Sequence, residues 1–308
     1  MNALAVILEA PERIAMRPLV LNPMDRDDVR VAVDWSGISS GTEKLLWTGR
    51  MPHFPGMGYP LVPGYESVGH IVDAGPDARD RIGECVFVPG ANCYQAARGL
   101  FGGTARTVIV PAARAVRIEP TLGRDGILLA LAATAHHAVA SGPAPDLIVG
   151  HGILGRLLAR QVIATGAPAP VVWETNPARR EAAGYPVIDP ATDTRHDYRT
   201  ICDASGAHDV LDMLIPRLGK GGEIVLAGFY DRLSFAFPAA FMREARLRIA
   251  AEFTPADIAA TTALIARGAL HLGGLISHVR PAAQAAQAYP QAFDDPDCLK
   301  MVLDWSEL

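Results

Sequence analysis

A glycine-rich stretch, GHGILG at residues 150–155, has the spacing that most clearly indicates chemistry. It matches GxGxxG and lies between the apolar run DLIVG and the helical pattern GILGRLLARQVIATG. In that setting the first glycine makes a tight turn, the second lets a pyrophosphate approach the backbone, and the third lets the helix pack closely. The phosphates would bind the unpaired N–H groups at the positive end of the helix. We therefore predict dinucleotide contacts from Gly150, Gly152, Ile153, Leu154 and Gly155.

An acidic residue, Glu174, ends the next apolar run, PVVWE. An acid at about this distance accepts hydrogen bonds from both ribose hydroxyls. A 2′-phosphate would meet its negative charge, so the pattern favours NAD over NADP, although Arg179 and Arg180 lie close enough to leave the choice open. The alternative is a glycine-rich turn in an α/β domain without a ligand. We predict an NAD site that includes Glu174, Thr175 and Arg179.

A second candidate site is the stretch VPGYESVG (Val62–Gly69), in which Tyr65 occupies the middle of a Gly-x-Glu sequence. This position, between one strand and the next, commonly carries a metal-binding histidine. Tyrosine instead offers a phenolic hydroxyl, which is one of the groups that take part in proton transfer. The residues around Tyr65 therefore decide whether the site works without a metal.

The chain has two parts with different sequence patterns, and each pattern predicts the elements that must position these residues. Residues 1–120 contain short apolar runs broken by glycine and proline, which predict strands of a small barrel or sandwich: ALAVIL, VRVAVDWSGI, SVGHIVDAG, ECVFVPG and RTVIVPA. From Gly126 onward, helical stretches alternate with short buried strands, which is the pattern of βαβ units. The stretch from Leu275 predicts one more helix and a closing strand.

Composition excludes several partners and locations. The 308 residues suit two domains, and a net charge of −5 without a Lys/Arg-rich run argues against a nucleic-acid partner. Four cysteines without close spacing indicate a reducing compartment. The longest apolar run, Ile127–Ala140, is too short for a transmembrane segment, and no cationic segment precedes the apolar N-terminus. We predict a cytoplasmic protein.

Several motifs together give the chain a family resemblance over nearly its whole length: SGISSGTE, VPGYESVG, GGTARTVIVPA, ATAHHA, GHGILG and DCLKMVL. With them the chain resembles the medium-chain dehydrogenase/reductase superfamily. The resemblance implies an α/β fold with a GroES-like β-barrel catalytic domain at residues 1–120. A Rossmann NAD-binding domain, a doubly wound parallel sheet, would follow at 121–271. Residues 272–308 would return to the catalytic domain.

The resemblance is most specific in one stretch, GISSGTEKLLWTGRMPHFPGMGYPLVPGYESVG. This stretch looks like the alcohol dehydrogenases of bacteriochlorophyll biosynthesis. Those enzymes oxidise the 3-(1-hydroxyethyl) group of a bacteriochlorophyllide to a 3-acetyl group with NAD as hydride acceptor. The resemblance thus implies a bacteriochlorophyllide-type tetrapyrrole as substrate. Two alternatives remain, a zinc-free NADPH-dependent quinone or enone reductase and a catalytically inactive pigment-binding carrier.

Zinc-dependent members of the superfamily place a cysteine after Gly-Ile, a histidine before the Glu, and a third ligand near the start of the second domain. This chain has Ser39 and Ser40 at the first place, Tyr65 at the second, and no donor in ILLALAAT at the third. Catalytic zinc needs three protein ligands, so we expect no metal.

Without zinc, a side chain must accept the hydroxyl proton or polarise the oxygen. The resemblance suggests Tyr65 and Thr42 as the contacting catalytic residues, with Glu43 and Glu66 behind them. The alternative is that Tyr65 fills the space left by zinc and that the glutamates are structural, bonded to backbone N–H groups.

The loop Leu45–Gly64 supplies the candidate substrate contacts, because a flat pigment needs a broad apolar surface. His53 would ligate the pigment magnesium and Arg50 would pair with a propionate. The alternative is that the apolar side chains seal the barrel. The full set of candidates is Trp47, Arg50, Met51, His53, Phe54, Met57 and Tyr59.

The superfamily pattern also implies the remaining cofactor contacts and a partner. Thr134 would lie near the nicotinamide and Lys300 would reach a phosphate. Ser205 and Gly206 would end the strand beneath the adenosine. Gly228 and Phe229 would end the strand beneath the nicotinamide. The strand RLRIAAEF is one through which such Rossmann domains often pair, which makes a homodimer possible.

Overall fold

The computed structural model describes residues 1–181, 184–230 and 232–308. They form two compact units, residues 1–130 together with 272–308, and residues 131–271. Each unit has its own sheet and its own buried apolar core. The predicted fold class, a β-rich domain combined with a parallel-sheet α/β domain, is confirmed.

The first unit is built mainly from antiparallel strands. Its central strand, Asp28–Ile38, alternates valines with other residues, and the alternate side chains Val29, Val31 and Val33 are fully buried. This period of two places one face of the strand in the core. The N-terminal elements are β1 (Asn2–Ala10), β2 (Arg13–Val20), β3 (Asp28–Ile38), α1 (Thr42–Trp47), β4 (Ser67–Ala74), β5 (Cys85–Val88), β6 (Thr107–Pro111) and β7 (Val116–Arg117).

The second unit contains a sheet of parallel strands in the order β10-β9-β8-β11-β12-β13. This is the doubly wound order, and the chain changes direction between β8 and β11, where such sheets bind nucleotides. From the start of this part of the chain the elements are α2 (Leu129–Ala140), β8 (Leu147–Val149), α3 (Ile153–Ala164), β9 (Val171–Trp173), β10 (Val187–Ile188), β11 (Tyr198–Asp203), α4 (Val210–Leu214), β12 (Leu218–Leu226), α5 (Phe237–Arg243), β13 (Arg246–Ile249) and α6 (Pro255–Ala266).

The C-terminal segment belongs to the first unit and contains the predicted helix and closing strand. Its elements are β14 (His278–Pro281), α7 (Ala285–Asp294) and β15 (Met301–Asp304). β15 pairs antiparallel with the end of β3, with Met301 opposite Ile38. This pairing carries α7 and the residues before β15 to the region where β3 ends.

Two elements of the second unit differ from the sequence pattern. The predicted strand RLRIAAEF stops at Ile249, although the Ala250 N–H still donates to the Leu226 carbonyl. Between β9 and β10, the described residues form no α-helix and contain only a 3₁₀ turn, Pro177–Arg179. α6 begins at Pro255 and is capped by a reciprocal Thr254–Asp257 box. Among the helices formed by the described residues, none is long and apolar enough to cross a membrane.

Candidate active site

The glycine-rich turn joins β8 to α3 and requires glycine at positions 150 and 155. Gly150 has φ of +96°. A Cβ atom on Gly155 would lie 1.8 Å from the Gly150 carbonyl oxygen, whereas one on Gly152 would have nothing within 4 Å. The turn is therefore closed toward the helix and open at Gly152, as a site for a diphosphate at the N-terminus of α3 requires.

Glu174 follows β9 and is held beside this turn. Its Oε2 accepts the backbone N–H of His151 at 3.1 Å, and its Oε1 accepts the N–H of Asn176 at 2.8 Å. A carboxylate has about four lone-pair sites, so two remain for ribose hydroxyls. Arg180 donates to the backbone carbonyls of Glu174 and Thr175, and it also donates to the Asp189 carboxylate. The Arg180 guanidinium is thus occupied by protein groups, which removes one of the two arginines that left the NAD choice open.

The ends of β11 and β12 complete this edge of the sheet. The Ser205 backbone lies 3.3 Å from the position of a Cβ on Gly150, so the two turns touch. A Cβ on Gly228 would lie 2.7 Å from the Tyr230 hydroxyl, which itself donates to the buried Asp203 carboxylate. Tyr230 is a residue that the sequence patterns did not single out.

Other predicted cofactor residues have these positions in the second unit. Gly206 has φ of +70° directly after Ser205, and the side chain of Phe229 is 46% exposed. Thr134 is half-buried on α2. The structure therefore brings together the glycine turn, Glu174 and Ser205.

In the first unit, Tyr65 lies at the centre of a polar cluster. Its hydroxyl donates to Ser39 Oγ at 2.8 Å, and its ring meets the edge of Phe101 with centroids 5.0 Å apart. Ser39 follows β3, and Thr42 is the first residue of α1. Burial and the charge of Glu66 raise the pKa of Tyr65 above its ordinary value, whereas hydrogen bonds with Ser39 and Thr42 lower it. At neutral pH the phenol therefore keeps its proton and acts as a hydrogen-bonding group.

Glu43 is fully buried in the same cluster. Its Oε1 accepts the Ser39 N–H at 3.2 Å, and its Oε2 accepts the Tyr289 hydroxyl at 2.8 Å. Burial raises the pKa of Glu43 to about 7; the Tyr289 hydrogen bond lowers it and the charge of Glu66 raises it further. Glu43 is thus a carboxyl group that exchanges a proton near neutral pH.

Glu66 forms a buried ion pair with Lys300, whose ammonium donates to Glu66 Oε2. Burial raises the pKa of Glu66 and the lysine lowers it. Among the described residues, Glu66 Oε1 has no hydrogen-bond partner. Lys300 is only 3% exposed, so its ammonium neutralises Glu66. We therefore reassign it from the predicted cofactor phosphate to this carboxylate.

The four predicted catalytic residues therefore come together with two residues of the C-terminal segment: Tyr289, which the sequence patterns missed, and Lys300, to which they gave a different role. Tyr289 and Lys300 are 246 and 234 residues away from the glutamates that they bind. No local motif connects residues at such distances. Only the expected C-terminal return to the first unit gave a general signal that this segment contributes.

The candidate substrate loop divides into buried and exposed side chains. Arg50, His53 and Phe54 are exposed, with Phe54 at 41%. The other four candidates, Trp47, Met51, Met57 and Tyr59, pack in a small core around Leu8, Leu46 and Leu61. The burial of these four side chains agrees with the alternative that the apolar residues of this loop seal the barrel.

The residues of the first unit do not fit a catalytic zinc ion. Within residues 1–181, 184–230 and 232–308, no group of three or more His, Cys, Asp or Glu side chains could hold a metal. Ser39 and Tyr65, which stand at the expected ligand positions, are bonded to each other. Hydroxyl groups are not among the usual zinc donors.

Comparisons with known proteins agree with this architecture. Residues 25–120 match the family described as Alcohol dehydrogenase GroES-like domain. Solved structures of similar fold include a short chain alcohol dehydrogenase from E. coli CFT073 complexed with NADH (19% identical, TM-score 0.85, 99% of each chain). A structure described as a zinc-binding dehydrogenase from Sinorhizobium meliloti 1021, bound to NADP, is also similar (20% identical, TM-score 0.83, 99% of each chain).

One curated relative is much closer in sequence. The 2-desacetyl-2-hydroxyethyl bacteriochlorophyllide A dehydrogenase of Rhodobacter capsulatus is 58% identical over 312 residues, which cover 100% of this chain and 99% of the relative. Identity at this level over the full length confirms the resemblance seen in the motifs. The chain therefore belongs to the medium-chain dehydrogenases, and within them to the family of this bacteriochlorophyllide dehydrogenase.

Proposed function

We propose that the chain is an NAD-dependent, metal-free alcohol dehydrogenase. It would oxidise the 3-(1-hydroxyethyl) group of a bacteriochlorophyllide to the 3-acetyl group. The observation that carries this proposal is the 58% identity, over the whole chain, to a dehydrogenase named for that substrate. The polar cluster around Tyr65 and the open glycine turn give the reaction the groups it requires.

The reaction removes a hydride from the carbinol carbon and a proton from its hydroxyl group. The glycine turn and Glu174 would hold NAD⁺, which supplies the hydride acceptor for this reaction. The Tyr65 phenol, protonated at neutral pH, would orient the alcohol oxygen, and Thr42 would contribute a second hydroxyl. The proton would pass to Glu43, because a pKa of about 7 suits a general base near neutral pH. Glu43 is linked to Tyr65 through Ser39, which binds both residues.

Glu66 has a supporting role in this mechanism. Its ion pair with Lys300 cancels one of the two carboxylate charges in the buried cluster. Without the lysine, the charge of Glu66 would hold the proton on Glu43 more tightly, since like charges raise each other's pKa. The pair thus keeps Glu43 able to ionise.

The choice of NAD over NADP rests on Glu174. Its carboxylate stands beside the turn with both oxygens anchored by N–H groups, so a 2′-phosphate there would be repelled. The occupied guanidinium of Arg180 offers no compensation. These contacts favour NAD and count against the NADPH-dependent reductase.

The exposed part of the substrate loop would contact the macrocycle. Phe54 offers an aromatic face, His53 a ligand for the central magnesium, and Arg50 a partner for the propionate. The loop would be held in place by its buried side chains, Trp47, Met51, Met57 and Tyr59.

We also propose a homodimer in the cytoplasm. All four cysteines are buried thiols and form no disulfide bonds, which suits a reducing compartment. The strand β13 is the last in its sheet and exposes Leu247 and Ile249. A second copy of the chain would cover these side chains.

The test is an anaerobic assay of purified protein with 3-(1-hydroxyethyl) bacteriochlorophyllide and either NAD or NADP, following the red absorption band of the pigment. Bound metals are quantified on the same sample. Conversion to the acetyl pigment with NAD and without stoichiometric zinc is the expected result. Tight pigment binding without conversion would favour the carrier, and turnover of quinones with NADPH would favour the reductase.

A further inference from the structure

His151 connects the glycine-rich turn to the segment 174–179, which contains the proposed ribose-binding acid Glu174. It lies between Gly150 and Gly152 in the sequence, and its side chain is fully buried. Nδ1 lies 2.6 Å from the Arg179 carbonyl oxygen, and Nε2 lies 3.0 Å from the Tyr185 hydroxyl. The His151 ring also meets the edge of the Tyr185 ring, with centroids 5.7 Å apart. Because the side chain has no exposed surface, it can act on a ligand only through the groups it holds.

The hydrogen-bond pattern fixes one form of the imidazole. A carbonyl oxygen only accepts, so Nδ1 carries the hydrogen, and Nε2 then accepts from the Tyr185 hydroxyl. Burial lowers the pKa of His151, which favours the same neutral form. Both ring nitrogens are therefore paired, as a buried imidazole requires.

The backbone of His151 takes part in the same connection. Its N–H donates to Glu174 Oε2, and its carbonyl oxygen accepts from Arg156 Nε at 3.1 Å. One residue of the turn thus binds Glu174, the end of the 3₁₀ turn at Arg179, and Tyr185. These three partners include the acid on which the NAD preference rests and the segment that follows it.

We propose that His151 is a positioning residue for cofactor selection, which holds Glu174 and the segment 174–179 in the orientation that rejects a 2′-phosphate. The inference rests on the proposed NAD dependence. With the segment fixed, a 2′-phosphate meets a carboxylate that cannot turn away. If the side-chain bonds are lost, the Arg179 carbonyl and the Tyr185 hydroxyl lose their buried partner, and the segment shifts to satisfy them.

Three variants of the full chain test this idea: His151→Phe, Tyr185→Phe and the double variant. His151→Phe keeps a buried ring but removes both side-chain bonds, and Tyr185→Phe removes one of them. The control is Tyr198→Phe, which removes a tyrosine hydroxyl bonded to Asp193 in the same unit. Dissociation constants for NAD and for NADP are measured by calorimetry without pigment.

We expect the ratio of the NADP to the NAD dissociation constant to fall about tenfold in His151→Phe, the effect of one or two buried hydrogen bonds. Tyr185→Phe should lower the ratio by less, and the double variant should match His151→Phe, because the tyrosine acts through the histidine. Tyr198→Phe should leave the ratio unchanged. Without nucleotide, the amide hydrogens of Asn176 and Ala178 should exchange faster in His151→Phe than in the wild-type protein.

The outcomes separate this inference from the proposed function. A wild-type protein that prefers NAD, with variants that weaken both nucleotides equally, would overturn the role of His151 and leave NAD dependence intact. A wild-type protein without preference for NAD would overturn both. If His151→Phe does not fold, Tyr185→Phe decides: an unchanged ratio together with unchanged exchange at Asn176 would refute the proposal.

Discussion

The surroundings of the Tyr65 side chain favour the protonated phenol, which donates a hydrogen bond, over the phenolate. Its hydroxyl is bonded to Ser39, and burial together with the Glu66 charge raises its pKa. A phenolate base would need the opposite, a nearby positive charge that lowers the pKa. Within this cluster Glu43 has the proton affinity that a base requires at neutral pH.

Replacing the Tyr65 hydroxyl tests its part in the reaction. In Tyr65→Phe the ring contact with Phe101 remains, while the hydroxyl that we propose to orient the alcohol is lost. We expect kcat/KM with the hydroxyethyl pigment to fall by about a hundredfold or more, as when other positioned hydrogen-bond donors are removed. Pigment affinity, measured by fluorescence quenching, should change little.

The matched control is Tyr94→Phe. Tyr94 is another buried tyrosine of the first unit, and its hydroxyl donates to the Gly102 carbonyl. This variant should keep its turnover. Full activity in Tyr65→Phe would leave Tyr65 with a space-filling role only.

Ionisation of Glu43 should lower the stability of the fold. The pKa of Glu43 rises from its ordinary value of 4.5 to about 7 on folding, so between these pH values the folded chain holds a proton that the unfolded chain has lost. Stability from this group is therefore complete below pH 4.5 and is lost as the pH rises through 7. Glu43→Gln cannot ionise and lacks this loss.

We expect the free energy of unfolding of Glu43→Gln, relative to the wild-type protein, to increase between pH 5 and pH 8 by at most about 3 kcal/mol. Urea unfolding at the two pH values measures it. The control Glu252→Gln changes an exposed glutamate and should show no such trend. Equal pH dependence in Glu43→Gln and the wild-type protein would contradict the raised pKa.

At the scale of elements, local patterns predicted those parts of the fold that local chemistry determines. The valine alternation of β3 and the turn between β8 and α3 follow from side-chain period and glycine conformation. The early end of β13 does not follow from a local pattern. The sequence remains apolar beyond Ile249, but the pairing with β12 ends there. Pairing between strands is a tertiary property.

The same limit applies to the candidate sites. The motif around Tyr65 located the polar cluster that we propose as catalytic, but Tyr289 and Lys300 reach it through the pairing of β15 with β3. In the substrate loop, composition alone did not separate the buried Met51 from the exposed Phe54, because both are apolar. Packing against Leu46 and Leu61 makes that distinction.

The substrate loop offers a comparison between one exposed and one buried side chain. Met51 is 8% exposed and Phe54 is 41% exposed. Met51→Ala should destabilise the fold by about 2–5 kcal/mol, the usual cost of a cavity in a core. Phe54→Ala should change stability by less than about 0.5 kcal/mol and weaken pigment binding several-fold. Urea unfolding and pigment fluorescence quenching measure the two effects.

A control for the exposed position is Val72→Ala, which changes an exposed apolar side chain of β4 in the same unit. Its pigment affinity should equal that of the wild-type protein. If Phe54→Ala binds the pigment as tightly as Val72→Ala, the loop does not form the macrocycle surface.

The whole molecule has an exposed apolar surface that a monomer would leave in water. Among the strands of the described residues, β13 pairs only with β12, so its outer edge is open. The side chain of Ile249 on this strand is 78% exposed, and Phe237, Phe241 and Met242 of the preceding helix α5 are each at least 66% exposed. An open strand edge with exposed apolar side chains promotes association. A second copy related by a twofold axis would cover the same surface on both chains.

We therefore expect the protein to sediment as a dimer of the 32.7 kDa chain. Ile249→Lys places a charge on the outer strand β13 and should produce a monomer that still binds NAD, because at least two strands of the sheet separate β13 from β8 and β9, which lead to the glycine turn and Glu174. The control Val72→Lys introduces the same charge on β4 and should remain dimeric. Analytical ultracentrifugation at several concentrations distinguishes the two, and a wild-type protein that stays monomeric throughout would show that this surface has no second copy as its partner.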